Sequence, residues 1–187
     1  RMEAGELMCV ECGEEARTGE VQAIEDDTRV IAGWRLEKEM PVLSGEADLF
    51  LARSESGAGE LGTVVLKYYR RGVEPDTDLY PALQKVNPDF AARLYDQGRH
   101  DGRAFEVWEY MEHGSLAEID EDRKADPSFV LETLKELATA LHGLERLGVR
   151  HRDLKPANII APTMDPFDLV VADFGTAQLG EFQLQMT

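Results

Sequence analysis

An α+β chain in two lobes is the architecture these 187 residues predict, and three observations lead to it. From Gly33 onward the first half alternates short β-type runs with Gly- and Asp-rich turns. A long stretch of the second half carries apolar residues every three or four positions. Two short apolar runs then close the pattern. About five strands with one helix, followed by helices, make a sheet lobe and a helical lobe. At ~100–200 residues per domain the length suggests one domain, and 43% hydrophobic residues suffice for a core.

Charge narrows the possible functions. There are 37 Asp+Glu against 20 Lys+Arg, a net charge of −17 and a pI near 4.6. Neutralising phosphates needs a basic face, so nucleic acid is excluded as a partner, and docking on anionic lipid is disfavoured. No run reaches the ~18 apolar residues of a membrane span, and the start lacks the basic-then-apolar order of a signal peptide. Cys9 and Cys12 are too close together for a stapling disulfide framework. These readings point to a cytoplasmic protein with no membrane attachment.

Residues 1–32 hold nine acids against three arginines and too few apolar residues for a core, so they read as an acidic extension. Residues 33–111 read as the sheet lobe and its connection to residues 112–187. Trp34–Leu36 and Leu49–Ala52 are strands around the turn Leu43-Ser-Gly-Glu-Ala-Asp48. Gly57, Gly59 and Gly62 mark a second connection, after which Thr63–Tyr69 is a β-rich run. Leu79–Val86 suits a short helix whose start Pro81 restricts. Phe90–Leu94 and Ala104–Tyr110 are two further strands around the polar stretch Gln97–Gly102. Asp126-Pro127 then supplies an N-cap with proline at the first helical position. Val130, Leu131, Leu134, Leu137, Ala138, Leu141, Leu144 and Leu147 carry the helical period, and Gly148 stands where a left-handed cap belongs. Asn158–Ile160 and Leu169–Ala172 are the closing apolar runs.

The sharpest signal is His151-Arg-Asp-Leu-Lys-Pro-Ala-Asn158, followed by Asp173-Phe-Gly175 twenty residues after Asp153. In these two segments the sequence resembles the eukaryotic-type protein kinases, specifically the Ser/Thr branch in its bacterial style. The resemblance implies a protein-kinase-like two-lobe fold: an antiparallel β-sheet N-lobe with one helix, and here a partial helical C-lobe. It implies transfer of the γ-phosphoryl of ATP, with Mg²⁺, to a serine or threonine hydroxyl of a protein substrate. Such chemistry needs positioning and charge neutralisation more than covalent help. Asp153 would accept the hydroxyl proton and Lys155 would contact the moving phosphoryl. Asn158 and Asp173 would hold Mg²⁺, which prefers hard oxygen ligands.

Upstream, Val64-Val-Leu-Lys67 is similar to the family's third strand, whose lysine meets the α- and β-phosphates. Phe105–Met111 resembles the strand and hinge that face adenine. The resemblance makes Trp108 the gatekeeper, puts Glu109 and Met111 on the hinge, and has Leu49, Val65 and Ile160 sandwich the ring. Leu83, Leu94, His151 and Phe174 would form the hydrophobic spine.

This chain departs from the family at three places. The glycine-rich loop keeps one glycine, Gly45, with Ser44 and Ala47 as small stand-ins, and Glu46 and Asp48 add negative charge there. Leu79 falls where the family has a helix glutamate to pair with Lys67; Asp78 beside it is the substitute a shifted helix register would use. Only twelve residues follow Gly175, so the expectation is a fragment or minimal form, with the apolar face of residues 129–147 uncovered or covered by a stabilising or regulatory partner. Cys9-Val-Glu-Cys12-Gly13 resembles one knuckle of a zinc ribbon, a half site for Zn²⁺ without a second Cys pair. His100, His113 and His142 are scattered and add nothing to it.

The leading reading is a Ser/Thr protein kinase. Its rivals are a pseudokinase, acting as a nucleotide-binding or interaction module, and a small-molecule phosphotransferase. A net −4 over residues 112–126 adds the expectation of an acidic surface attractive to basic peptides.

Overall fold

The structure, a computed structural model, describes residues 29–41, 45–55 and 61–180. Most of the 1–32 extension, Leu43 and Ser44 of the first turn, and Gly57 and Gly59 of the second lie outside the described residues. Two compact units emerge. One comprises the described residues up to Val73 together with Gln97–Val107; the other comprises Glu74–Asp96 and the described residues from Trp108 onward. The division differs from the 33–111 and 112–187 reading, because the segment holding the short helix groups with the second unit.

The first unit is built on a six-stranded antiparallel sheet. Its strands are β1 (Val30–Ile31), β2 (Trp34–Met40), β3 (Ala47–Ser54), β4 (Val64–Tyr69), β5 (Leu94–His100) and β6 (Arg103–Glu109), in spatial order β1-β2-β3-β4-β6-β5. The register of β3 on β4 sets Leu49 opposite Lys67, Leu51 opposite Val65 and Phe50 opposite Leu66. Directly opposed residues share a face. Phe50, Ala52, Val64 and Leu66 therefore form one side, each at most 1% exposed. Leu49, Leu51, Val65 and Lys67 form the other side, and all are half-buried.

Two expectations change here. Phe90–Leu94 makes only an isolated parallel bridge between Ala91 and Val171, while the strand itself runs from Leu94 to His100. The polar stretch expected as a turn is an edge strand, and the reversal is confined to Asp101-Gly102, both at positive φ (49° and 74°). Asp-Gly suits a two-residue hairpin turn because both positions need φ > 0. The strand before it is polar because it lies at the sheet's edge, where only one neighbour covers it.

In the second unit the helix expected over Leu79–Val86 is a 3₁₀ turn, Thr77–Leu79, continued by one α turn, α1 (Tyr80–Leu83). Lys85 and Val86 already donate to carbonyls three residues back, and Asn87 precedes Pro88, which disfavours helical backbone at Asn87. After α2 (Glu121–Lys124) comes the long helix α3 (Pro127–Arg146). Asp126 caps α3 by accepting from the Ser128 N–H at 2.9 Å, and Gly148 adopts φ +74° just beyond its end. Leu144, Val149, Leu169, Val171, Phe129 and Phe167 share one core, the last two in edge contact at 4.8 Å. The first turns of α3 stay open: Val130, Leu131 and Leu134 are 41%, 54% and 57% exposed. No helix among the described residues is long and apolar enough to cross a membrane.

Candidate active site

Short ladders after α3 carry the site in the second unit. β7 (Val149–Arg150) pairs with β10 (Gln178–Leu179), and β8 (Ile159–Ile160) pairs with β9 (Val170–Val171). Between β7 and β8 the chain must reverse, and it does so with Arg152 at φ +69°; Asp173, after β9, sits at φ +58°. Left-handed backbone at a non-glycine residue is uncommon, and it concentrates at functional sites. Both residues lie in the two segments singled out from sequence.

Asp153, Lys155 and Asn158 converge. Lys155 Nζ donates to Asp153 Oδ2 at 2.7 Å, and Asn158 Nδ2 donates to the Asp153 carbonyl at 2.8 Å and to Oδ2 at 3.1 Å. The hydrogen bond from Lys155 holds the Asp153 carboxyl below its ordinary range, with Asn158 and the lysine charge adding to the effect against modest desolvation. Asn158 is buried, and both its amide hydrogens go to Asp153. Its amide oxygen is therefore the atom available to a hard cation.

The β8/β9 ladder ties this knot to Asp173. Ala172 N–H donates to the Asn158 carbonyl at 2.9 Å, so the residue preceding β8 and the residue following Ala172 are neighbours. His151 locks the same junction: its Nε2 donates to the Ala172 carbonyl at 2.8 Å while Nδ1 accepts from the Asp153 N–H at 3.3 Å. Those two roles together specify the Nε2–H tautomer. Phe174 lies against the His151 ring (5.1 Å, edge-on) and the Trp108 ring (5.9 Å, stacked). Leu83 belongs to the same core, and Leu94 packs against it.

Glu109 and Met111, the expected hinge residues, belong to the same unit. Glu109 is bound to Arg93 three ways: its N–H to the Arg93 carbonyl (2.9 Å), its carboxylate to the Arg93 N–H (3.3 Å), and an ion pair at 3.9 Å. Met111 is half-buried, and its carbonyl accepts from Gly114. Gly114 and Leu116 hydrogen-bond across to Ala161 and Ile159, which sets the half-buried Ile160 beside the segment leaving the hinge.

The first unit brings together Lys67, Leu49 and Val65 on one half-open sheet face. Lys67 Nζ lies 5.1 Å from the centre of the Tyr69 ring. Gly45 precedes β3 and a Cβ there would touch only Arg70 Nη1, at 3.9 Å, so packing within the unit does not demand glycine. The charge expected from Asp48 is cancelled. Arg103, which the sequence reading passed over, binds its carboxylate at 2.8 Å, and Arg70 stands at 3.8 Å. Arg103 also lies 3.7 Å above the Tyr68 ring.

The acids of residues 112–126 are likewise engaged. Asp120 and Asp126 are helix caps, Glu118 accepts from the Ser115 N–H, and Glu121 pairs with Lys124. Four of the six carboxylates there serve local structure. Cys9 and Cys12 lie outside the described residues. Among the described residues no group of three His, Cys, Asp or Glu could hold a metal ion, so nothing supports the zinc reading.

Known proteins match parts of this chain. The protein kinase domain profile matches residues 80–186. Serine/threonine-protein kinase PknL of Mycobacterium tuberculosis is 35% identical over 95 residues, covering 50% of this chain and 23% of PknL. Homeodomain-interacting protein kinase 2 of Mus musculus is 34% identical over 146 residues, covering 65% of this chain and 12% of that protein. The crystal structure of the Mycobacterium tuberculosis PknI kinase domain is similar with a TM-score of 0.64 at 21% identity, over 81% of this chain and 63% of that one. The chain thus spans less than a quarter of the length of PknL.

Proposed function

The chain belongs to the protein kinase domain family, and from that premise we propose that its protein transfers the γ-phosphoryl group of MgATP to a serine or threonine hydroxyl of a protein substrate. The observation that carries this reading is the Asp153–Lys155–Asn158 knot, held beside Asp173 by the β8/β9 ladder. The donor set fits Mg²⁺: an amide oxygen left over at Asn158 and a carboxylate at Asp173 are hard oxygen ligands. When bound, MgATP supplies the phosphoryl group and the cation that draws charge from it.

Each residue then has one task. Asp153, kept as a carboxylate by Lys155, would take the proton of the acceptor hydroxyl as that oxygen bonds to the γ-phosphorus and the bond from phosphorus to the departing ADP oxygen breaks. Lys155 offers its ammonium to the transferring group, and a lysine at that position goes with Ser/Thr acceptors in the family. Asn158 and Asp173 would hold the cation. In the first unit, Lys67 would anchor the nucleotide phosphates and Leu49 and Val65 would offer apolar surface to the base; Ile160, in the second unit, keeps the apolar role that the family likeness gives it. The backbone at Glu109 and Met111 supplies the base's polar contacts. A site that uses MgATP works where ATP is, so the proposal keeps this one in the cytoplasm.

A second reading, a nucleotide-binding or regulatory interaction module without catalysis, draws on one observation: Leu79, where the family has its helix acid, is buried and apolar. Phosphorylation of the full-length protein and of a Ser/Thr-containing protein acceptor with MgATP separates the two. Asp153→Ala and Asp173→Ala should each lower transfer by ~10²-fold or more, with label on Ser or Thr. Equal signal from parent and variants would overturn catalysis in favour of the second reading.

A further inference from the structure

We propose that an apolar groove beside Lys155 receives a large apolar side chain of the acceptor protein, close in sequence to the serine or threonine that is phosphorylated; this rests on the phosphoryl-transfer reading. The groove lies wholly within the second unit and has a volume of about 570 Å³. Phe129, Val130 and Leu134 line it from the first turns of α3. Leu116 lines it from the segment before α2, and Pro156 and Ala157 from the 3₁₀ turn Pro156–Asn158.

Lys155 ties the groove to the reaction. It borders the groove, and its Nζ donates to the Asp153 carboxylate at 2.7 Å. One residue therefore adjoins both the groove and the group read as the proton acceptor. An extended segment advances ~3.3 Å per residue, so side chains within about three residues of the acceptor hydroxyl come within reach of the groove. That continuity makes the occupant the acceptor protein itself.

The lining sets the chemistry of the side chain that enters. Val130 and Leu134 are 41% and 57% exposed, so their apolar surface is open to an occupant. Charge at the rim is already matched: Lys124 Nζ bonds the Glu121 carboxylate at 2.8 Å and the Ala117 carbonyl at 3.2 Å. A charged side chain entering there loses hydration for little electrostatic return. Leucine, methionine or phenylalanine instead removes apolar surface from water on both sides. Thr133, also on the lining, has a buried hydroxyl with no hydrogen-bond partner among the described residues, a polar atom that the fold leaves unmatched.

The test uses the full-length protein and peptides with one serine acceptor, each carrying leucine, alanine, lysine or aspartate at one of the three positions on either side. Binding of fluorescein-labelled peptides is read by anisotropy without nucleotide, and kcat/KM is read with MgATP. At one position leucine should exceed the other three by about tenfold or more in both measurements. Leu134→Asn and Val130→Asn should each cut that preference to within about twofold, while kcat/KM for the alanine peptide and KM for ATP stay within about twofold of the parent. No leucine preference at any position, a preference for lysine, or a leucine preference that survives both substitutions would overturn the proposal. So would a melting temperature lowered by ~5 °C or more in Leu134→Asn, because the groove would then be filled by the protein's own chain. A parent that transfers no phosphate to any peptide, yet binds the leucine peptide in preference, would overturn the phosphoryl-transfer reading and leave the groove standing as a peptide site.

Discussion

Asp153 and Lys155 are a two-residue device whose chemistry is visible at the level of single atoms. The lysine hydrogen bond holds the carboxyl below its ordinary range, so the carboxylate form survives to lower pH than in an unpartnered aspartate. Lys155→Met removes that donor, the Asp153 pKa rises toward the usual carboxylate range, and the acid limb of the kcat/KM profile shifts to higher pH. A profile whose acid limb does not move while the rate falls would show that Lys155 acts only on the transferring group. Other single residues were legible for local reasons: Asp126 as a cap, Gly148 as a left-handed terminus, Asp153 and Asp173 by their motifs. Arg103 and Glu106 were not. Their contacts are with residues some 30 to 55 positions away in sequence, Asp48 for Arg103 and Tyr69 for Glu106, and no local pattern encodes such a meeting.

Among the elements, α3 shows both the power and the limit of periodicity. Its period of apolar residues locates the helix correctly, yet the stripe is not uniformly buried. Phe129, Ala140 and Leu144 go inside, whereas Leu131 and Leu134 remain exposed. Urea unfolding should therefore rank substitutions by burial rather than by residue type. Leu144→Ala should cost about 2–5 kcal/mol, and Leu131→Ala should stay within about 0.5 kcal/mol. Similar losses at both positions would show that the outer turns of α3 are covered in solution. The edge strand β5 was misread because alternation fails as a signal where a strand has polar residues on both faces. Gly98 adds to the difficulty: it reads as a turn former, but a Cβ there would come within 3.1 Å of the Phe105 ring, so it marks a close approach between strands.

For the molecule as a whole, the net charge of −17 is the dominant electrostatic fact. Carboxylates that meet arginines or cap helices are stabilising, but 37 acids outnumber 20 basic residues, and the surplus repels itself. Raising NaCl from low to physiological strength should therefore raise the melting temperature, since screening acts over ~10 Å at 0.1 M; a falling value would mean that ion pairs such as Asp48–Arg103 outweigh the repulsion. By itself the sequence determined the family, the class of fold and the long helix, because those reside in contiguous segments whose spacing carries their chemistry. Only the tertiary structure decided that Asp48 is neutralised and that Glu106 is buried on the lysine face. It alone grouped the segment with the short helix into the second unit. Burial and charge partnership are properties of which strands become neighbours, and that is set by packing across long stretches of chain.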